Sequence, residues 1–486
     1  DTNKLDEIVV IGYGTQRKTD ITGALASVTT EDFKAQPIIN STDALQGRAS
    51  GVFVGSTNGA PGGEAKILIR GANSISGSSQ PLIVVDGIIG GSLQNLNPAD
   101  IESMEVLKDA SSTAIFGSRG ANGVILITTK SGKEEGTNID FDTFYSVQEV
   151  GKRFDLLSAS DFAREVNVSD LATGGEGDIF SPDEIAELQR TGGTDWQDQL
   201  FRTAPIVNYQ LSVSGKAGKT DFFVSGNHSE TQGILINTYS KRYNLRAKVN
   251  TKLGNNLKVG VNTAFIRTKG RNNQERTGIS SPVYAALAFD PTMPLYADDG
   301  SYNLTSIKGL GTLGVNPYAR LTELNLDRES SLVSLNGYVD YKILDGLNVN
   351  LTAGTRMRFN SDRRFDAELN NPNRASINDS DSKSNQATLR LTYEKEIRDH
   401  RFKIDGIYEL QSSKWHENSI LGVDVTYPST TYNNIGTATD ITVSSYASEQ
   451  KIESLMGRVN YTFMNRYVFS GAVRRDGASV LAEGNK

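Results

Sequence analysis

Cysteine, histidine and tryptophan are scarce: the 486 residues include no cysteine, three histidines and two tryptophans. Without cysteine the chain has no thiol nucleophile, no cysteine-ligated metal and no disulfide, which is compatible with any redox compartment. The histidines, at positions 228, 400 and 416, are too scattered to indicate a histidine metal cluster. We therefore expect no metal and no cofactor, and no set of residues indicates an enzyme.

Long apolar runs are also lacking. No segment approaches the roughly 20 consecutive apolar residues of a membrane-spanning helix, so residence in a membrane would require a β-barrel. The formal net charge of −7 argues against nucleic acid as a partner. Glycine, by contrast, is abundant, with 47 residues in a chain long enough for several domains or one large barrel.

The stretch Leu5–Gly14, LDEIVVIGYG, predicts one extended strand with no second strand beside it. A dinucleotide-binding turn is excluded, because the third glycine of G-x-G-x-x-G would fall on Arg17. An ordinary edge strand of a globular domain remains the alternative. A partner protein can bind an unpaired strand by strand addition, so we interpret this stretch as a handle, followed by a flexible tether over residues 15–27.

Residues 28–136 predict a small α/β module without an obvious nucleophile, base or metal site. The pattern predicts helices at 41–46 and from Pro98 onward behind the cap Asn97. Strands are predicted at 52–55, 65–70, 82–85, 104–107 and 123–129, with a turn at Asp86-Gly87. Asp86 is expected to tie down that turn rather than to act as a catalytic carboxylate.

Several of these segments are recognisable together. They are DALQGRASGV (43–52), GAPGG (59–63), ILIRG (67–71), PLIVVDG (81–87) and NPADIESMEVLKDASSTAIFGSRGANGVILITTKSG (97–132). In this order they closely resemble the plug domain of SusC-type TonB-dependent outer-membrane transporters of Bacteroidetes. LDEIVVIGYG resembles the TonB box that precedes the plug in that family. The resemblance covers little more than a quarter of the chain.

The resemblance implies a plug seated inside a barrel and a TonB box exposed to the periplasm. The residues implied to bind TonB are Asp6, Glu7, Ile8, Val9 and Val10. A charged lock between plug and barrel would involve Arg70, the arginine of IRG, and Lys108. The sequence has LKDA at the second position, where many other TonB-dependent proteins have Arg-Gly-Pro, so Lys108 offers a point charge rather than a bidentate fork.

The resemblance also implies partners: TonB, a SusD-like surface lipoprotein, outer-membrane lipid, and a glycan or peptide substrate. Two polar plug segments are candidates to face that substrate, Gly59–Gly63 and the loop of Asn73, Ser74, Ser76, Ser78, Ser79 and Gln80. Plain surface turns are an equally open interpretation of both segments.

From residue 137 onward, apolar and polar residues alternate in segments of about ten residues, the length of a tilted membrane strand. Eleven strands are predicted, near 138–149, 206–215, 219–229, 241–252, 256–267, 331–342, 347–359, 386–396, 401–411, 452–463 and 466–475. Soluble β-sandwiches alternate as well. The connections, however, switch strictly between long loops and tight turns, which is typical of outer-membrane barrels.

The plug precedes the first strand, so the tight turns are expected on the periplasmic side and the long loops outside the cell. The first loop predicts helices at 157–167 and 182–189, the second behind the capping box Ser181 to Glu184. Trp196 and Phe201 are expected to be packing residues rather than ligand platforms. The acidic cluster at 378–381 lacks the spacing and glycine of a calcium loop, and we expect a solvated loop there.

The sequence thus predicts an all-β fold with a small α/β plug: a TonB box and tether start (1–15), a plug domain (16–136), and the N-terminal half of a transmembrane antiparallel β-barrel (137–486). Eleven strands are half of the 22 in plugged transporters, so the other half is expected beyond this sequence. The predicted function is TonB-dependent import of a bulky oligosaccharide or oligopeptide across the cell outer membrane. The alternative is a structural barrel subunit of a larger outer-membrane assembly.

Overall fold

The computed structural model describes residues 8–11, 14–17, 25–33, 36–56, 59–63, 65–75, 77–272, 281–306, 308, 315–367 and 372–481. Two short strands come first, β1 (Ile8–Ile11) and β2 (Gly14–Arg17). They pair antiparallel, with Ile8 opposite Arg17 and Ile11 opposite Gly14. The prediction of a strand without a partner is therefore wrong. The second strand was overlooked because Gly14–Arg17 is polar and carries no apolar alternation.

The next region is built on a five-stranded sheet in the order β3-β8-β9-β6-β7, in which only β6 and β9 pair parallel. Its strands are β3 (Leu25–Thr29), β6 (Leu82–Val85), β7 (Ile88–Ile89), β8 (Ile101–Leu107) and β9 (Val124–Thr129). A separate hairpin joins β4 (Val52–Ser56) and β5 (Ala65–Ile69). The part of the predicted tether that falls in β3 is thus a sheet strand. We call residues 25–129 the plug.

The plug core lies around the central strands β8 and β9, where Ile101, Met104, Val106 and Ile125 are fully buried. The predicted helices at 41–46 and after Pro98 are single 3-10 turns, at Asp43–Leu45 and Pro98–Asp100. Asn97 does act as a cap, since its Oδ1 accepts from the amide of Ala99 at 3.3 Å. The second helix stops at once because Ile101 is drawn into the pairing of β8 with β9. A four-residue helix, α1 (Ala110–Thr113), was not predicted.

The remaining strands form one eleven-stranded antiparallel sheet, which we call the wall; each strand pairs with its neighbour in the chain. They are β10 (Gly136–Gln148), β11 (Ala204–Ala217), β12 (Thr220–Gln232), β13 (Tyr239–Leu253), β14 (Leu257–Arg271), β15 (Asn325–Leu344), β16 (Leu347–Asp366), β17 (Arg374–Ile397), β18 (His400–Val425), β19 (Ala438–Phe463) and β20 (Tyr467–Ala478). The predicted fold class is confirmed.

Strands β15 to β19 run well past their predicted ends. Residues 378–381, expected in a solvated loop, lie inside β17 and pair with residues 416–419 of β18. The sequence hides these extensions because polar residues occupy both faces there, which removes the apolar alternation used to recognise a strand. The connections between these strands are correspondingly shorter than predicted.

The two faces of the wall differ in chemistry. On β13, Tyr243, Leu245 and Val249 are 44%, 60% and 42% exposed on the outer face. Arg242 and Arg246, on the inner face of the same strand, are buried at 8% and 7%. This is the reverse of a soluble sandwich, in which the apolar face is the buried one.

The loop between β10 and β11 carries helices α2 (Ala159–Ala172), α3 (Pro182–Thr191) and α4 (Trp196–Leu200). The predicted capping box is present: Ser181 Oγ accepts from the amide of Glu184, whose carboxylate accepts from the amide of Ser181. Helices α5 (Pro282–Ala288) and α6 (Pro317–Glu323), between β14 and β15, were not predicted. Among the described residues, no helix is both long enough and apolar enough to cross a bilayer.

Trp196 and Phe201 are packing residues, as predicted. Trp196 is 2% exposed in a cluster with Leu200, Leu235 and Phe289. Its indole Nε1 donates to the carbonyl of Asp290 at 2.9 Å, and Phe201 packs against the same cluster. This cluster ties the loop helices α4, α5 and α6 into one body above the wall.

Candidate functional site

The inner face of the wall encloses the plug, and the contacts between them form the candidate site. The first contact centres on Asp86, in the turn between β6 and β7. Its carboxylate accepts from Lys248 Nζ at 3.3 Å and from Asn262 Nδ2 at 2.6 Å, both on the wall. Within the plug it accepts from the amide and hydroxyl of Thr129, at 3.1 and 2.6 Å. Asp86 therefore ties the end of β9 to strands β13 and β14.

The turn itself has the shape that this contact needs. Asp86 and Gly87 both adopt positive φ, 48° and 84°. Positive φ at both central residues is typical of the tight turn that matches the twist of a two-residue hairpin, and an Asp-Gly pair favours it. The predicted turn at Asp86-Gly87 is confirmed.

A buried pair lies next to the Asp86 contact. Arg246 Nε of the wall lies 3.5 Å from Asp100 Oδ2, with the two side chains 7% and 3% exposed. Burial raises the pKa of the Asp100 carboxyl, and the Arg246 guanidinium opposes that shift. Arg242 lies four residues before Arg246 on the same strand, and its Nη1 donates to the Gln94 carbonyl of the plug at 2.9 Å. Removing one partner of such a pair leaves a charge without compensation in a buried place, so these contacts fix the orientation of the plug.

A second contact lies on the other side of the plug. Arg119 Nη2 lies 2.6 Å from Glu409 Oε1 on β18, and Arg474 Nη2 on β20 lies 3.3 Å from the same oxygen. Arg474 also donates from Nη1 to the Ile115 carbonyl at 2.7 Å. Gly117, with φ of 62°, approaches the wall so closely that a Cβ would lie 2.3 Å from Asp476 Oδ2. Only glycine fits there without displacing this network.

Between the two contacts, neutral groups bridge plug and wall. Gln386 on β17 accepts from the amide of Ile89 at 2.9 Å and donates to the carbonyl of Gly87 at 3.3 Å. Asn97 Nδ2 donates to Gln210 Oε1 at 2.7 Å. Polar contacts of this kind hold a folded domain in place yet separate more readily than an apolar interface, because water can replace each bond.

Above the plug, a cavity of about 920 Å³ opens between the plug and the wall. The plug borders it with residues 39–40, 59–63, 92 and 94–95, and the wall with polar residues of β10 to β18. Its charged wall residues are Arg242, Arg271, Arg328, Arg358, Glu329, Asp362 and Glu417. The cavity is large enough for several sugar or amino-acid units and offers donors and acceptors around its rim.

The structure places the predicted site residues apart from one another. Lys108 Nζ donates to the Ser50 carbonyl and hydroxyl at 2.8 Å, both within the plug. Arg70 directly follows β5, has a φ of 58° and is exposed. Within the described part of the chain, neither side chain bonds to the wall. Their implied role in a lock remains a prediction.

The two plug segments that are predicted to face the substrate lie in different places. Gly59–Gly63 borders the cavity, whereas the described residues of the loop 73–80 do not. Asn122 Nδ2 donates to the Ser78 carbonyl at 2.8 Å, which holds that loop against the plug. Ser76, like Asp6 and Glu7, lies outside the described residues, while Ile8, Val9 and Val10 form β1.

The residues that bind the plug to the wall were missed by sequence reasoning. The alternation over the predicted strand 241–252 gives a polar face that includes Arg246 and Lys248 but names no partner for it, and Asp86 is predicted only as a turn residue. Opposite charges on two enclosed surfaces are a signal for such contacts. The pairing itself depends on where the plug sits in the wall, which local pattern does not specify.

An antiparallel wall that holds an α/β plug against its polar face is the arrangement of plugged β-barrels. Residues 17–124 match the TonB-dependent Receptor Plug Domain. The chain is 36% identical over 499 residues to TonB-dependent receptor P3 of Formosa agariphila, and this alignment covers 100% of the chain and 48% of the relative. It is 30% identical over 531 residues to TonB-dependent receptor SusC of Bacteroides thetaiotaomicron, covering 100% of the chain and 50% of SusC.

Among solved structures, the RagAB peptide importer in its 'open-open' state superposes with a TM-score of 0.82 at 24% identity, over 99% of the chain and 57% of that protein's chain. At this identity the likeness shows the fold alone. The chain spans about half the length of the curated relatives it matches. The resemblance to SusC-type TonB-dependent receptors predicted from the plug motifs is confirmed.

Proposed function

We propose that this chain is the plug and first part of the barrel of a TonB-dependent transporter that imports a bulky oligosaccharide or oligopeptide across the outer membrane. The observation that carries the proposal is the plug held by polar contacts inside a wall whose outer face is apolar. In this proposal residues 1–15 are the TonB box and tether start, 16–136 form the plug domain that contains the plug strands, and 137–486 form the first half of the barrel. No catalytic role is assigned.

The outer face supports a place in the membrane. Ile139, Phe141 and Tyr145 on β10, and Leu335 and Val339 on β15, are exposed on it. An exposed apolar band of this extent on neighbouring strands is unfavourable in water and favourable against lipid. Outer-membrane lipid is the partner that this face fits.

The order of the plug strands supports a pulling mechanism. β3 is the first plug strand after β1 and β2, and it lies at the edge of the plug sheet, paired only with β8. Force applied through Asp6–Val10 would reach this edge strand before the central strands. Local opening of an edge costs less free energy than unfolding the whole plug, so one segment can move while the rest stays folded. TonB would apply the force by adding a strand to the handle.

The remaining partners follow from kinship and from position. SusC-type relatives support a SusD-like surface lipoprotein as a lid above the loops that carry α2 to α6. The cavity above the plug is where a captured cargo would rest before the plug yields. The polar contacts of Asp86 and of Arg119 would then keep the plug closed between transport cycles.

Deleting Asp6–Val10 in the full-length protein tests the proposal. We expect uptake of the cargo to be lost, while insertion in the membrane, folding and cargo binding persist. A deletion of equal length in the outer loop, residues 172–176, is the control and should leave TonB-dependent uptake intact. Unchanged uptake after deletion of the handle would reject the transport function and would favour a purely structural barrel subunit.

A further inference from the structure

An aromatic pair on the inner face of the wall lies just above the plug. Trp415 on β18 and Tyr446 on β19 have ring centroids 5.3 Å apart and planes tilted by 55°. The strand register places Trp415 beside Ser382 and Ser448, and Tyr446 beside Glu417. In an antiparallel sheet, residues directly opposite one another share a face.

That face is the inner one, because other residues on the same face of β18, nearer to the plug, contact the plug. Gln411, four residues before Trp415, hydrogen-bonds to Arg119 of the plug. Residues an even number apart on a strand point to the same side, and four residues span about 13 Å. Trp415 therefore lies inside the wall and above the level of the plug. Glu417, two residues further, lines the 920 Å³ cavity.

The pair is exposed where the surroundings are polar. Within this chain, in which residues 438–451 of β19 pair only with β18 among the described strands, Trp415 is 37% and Tyr446 60% exposed. Outer-face aromatics on this sheet are explained by contact with lipid, but an inner-face pair has no lipid to contact. In the strand register the inner-face neighbours are serines, Glu417 and Gln450, and Ser384 and Ser413 next to them are hydrogen-bonded at 3.1 Å. Two exposed aromatic rings surrounded by polar side chains suit a ligand that presents C–H groups on one face and hydroxyl groups along its edge.

We propose that Trp415 and Tyr446 form a stacking platform for a sugar ring, so that the cargo of this transporter is an oligosaccharide. This inference rests on the proposed import function and names its substrate class. The negative π face of an aromatic ring attracts the weakly positive C–H groups on the flat face of a pyranose. Ser382, Ser448 and Glu417 lie where they can bond to the hydroxyl groups at the ring edge.

The cavity next to the platform favours a sugar over a peptide. Its lining consists mainly of hydroxyl, amide, guanidinium and carboxylate groups; the apolar members are Ile39, Ala60, Pro61 and Ile206. An oligosaccharide presents hydroxyl groups along its whole length, whereas most peptides would set apolar side chains against this polar surface at a desolvation cost. A lysine or arginine side chain of a peptide would also stack on the rings, beside Glu417. The test must separate these two ligands.

The experiment measures binding to the full-length protein, purified from outer membranes in detergent, by isothermal titration calorimetry. The probes are linear neutral hexasaccharides with glucan, mannan, galactan or xylan backbones, and a hexapeptide containing two lysines. The variants are Trp415→Ala, Tyr446→Ala and the conservative Trp415→Phe. The control is Tyr427→Ala, because Tyr427 is also 60% exposed but lies outside the strands. Circular dichroism and heat-dependent gel mobility confirm that each variant is folded.

We expect at least one hexasaccharide to bind, with affinity reduced about tenfold by each alanine substitution, largely restored in Trp415→Phe and unchanged in the control. Three results would overturn the inference: no hexasaccharide binds the unaltered protein, both alanine variants bind the hexasaccharide as tightly as the unaltered protein does, or the peptide is the ligand whose affinity depends on the rings. Failure of the proposed import function would give a different result: uptake would persist after deletion of Asp6–Val10, whichever ligand binds to Trp415 and Tyr446.

Discussion

The plug and the wall place their apolar residues in opposite directions. In the plug, Ile101 and Ile125 are fully buried in a core of apolar residues. In the wall, Phe141 and Leu245 are 64% and 60% exposed on the outside, while Arg246 is 7% exposed on the inside. One chain thus contains a part organised for water and a part organised for an apolar surrounding. The two parts meet through the polar contacts of Asp86, Asp100 and Arg119 and through an apolar contact, in which Ile407 and Met456 of the wall join the buried plug cluster of Phe116 and Leu126.

The largest effect should come from the plug core. Ile125→Ala removes a fully buried side chain from the central strand β9. We expect a loss of about 2–5 kcal/mol of plug stability, from lost burial and the cavity left behind. Hydrogen exchange of the β9 amides in the detergent-solubilised protein would measure it. Leu245→Ala, at an exposed wall position, is the matched control, and an equal loss in both variants would contradict the comparison.

The next prediction reverses the chemistry of the outer face. Leu245→Arg puts a charge in the middle of the exposed apolar band of β13. If that band faces lipid, the substitution should cost about 2–4 kcal/mol in a bilayer. Reversible urea unfolding in lipid vesicles measures the cost, and Lys241→Arg near the end of the same strand is the control. A free energy of unfolding that Leu245→Arg leaves unchanged in vesicles would show that this face does not lie in the bilayer.

The comparison also explains how much the sequence could predict. All eleven wall strands were predicted, because one apolar face and one polar face produce a period of two wherever the outer face is apolar. The signal disappears in the outer extensions of β17 and β18, where residues 378–381 pair with 416–419 across polar side chains on both faces. In the plug, β4, β5, β6, β8 and β9 were predicted, whereas β3 and β7 were not. The helix predicted after Asn97 was wrong, because pairing of β8 with β9 overrode a valid cap.

The candidate site was less predictable than the fold. Asp86 was recognised as a turn residue, and its turn is present, yet its wall partners Lys248 and Asn262 lie more than 160 positions away. The motif-based lock residues Arg70 and Lys108 make no hydrogen bond or ion pair to the wall among the described residues. Contacts between two separately folded parts depend on how the parts dock, and local sequence pattern carries no information on docking.

The third substitution should weaken the contact between the plug and the wall while both parts stay folded. Asp86→Asn keeps the size of the side chain and removes the charge that Lys248 contacts at 3.3 Å. We expect a loss of about 1–3 kcal/mol in docking, since a partly buried lysine loses its counter-charge. Exchange of the Thr129 amide, which donates to Asp86 at 3.1 Å, reports the change. Asp142→Asn, on the exposed strand β10, is the control, and equal protection of Thr129 in both variants would remove Asp86 from the interface.

The smallest effect concerns the loops, which belong to neither part. Lys308 Nζ lies 2.7 Å from Glu184 Oε1 and links the loop between β14 and β15 to α3, in the loop between β10 and β11. This hydrogen bond, with the bonds from Ser181, lowers the pKa of Glu184 to about 2. A carboxyl whose pKa is lower in the folded protein than in the unfolded chain stabilises the fold at any pH above its ordinary pKa of 4.5. That stabilisation is lost as the pH falls from 4.5 toward 2. The melting temperature of Glu184→Gln should therefore lie slightly below that of the unaltered protein at pH 7, and the difference should close at acid pH. Glu187→Gln is the control for the link between the loops, because the partner of Glu187, Arg190, lies in the same helix. The sensitivity of residues 301–308 to protease should rise in Glu184→Gln and stay unchanged in Glu187→Gln. A melting difference that persists at pH 2 would mean that Glu184 acts there through packing rather than charge.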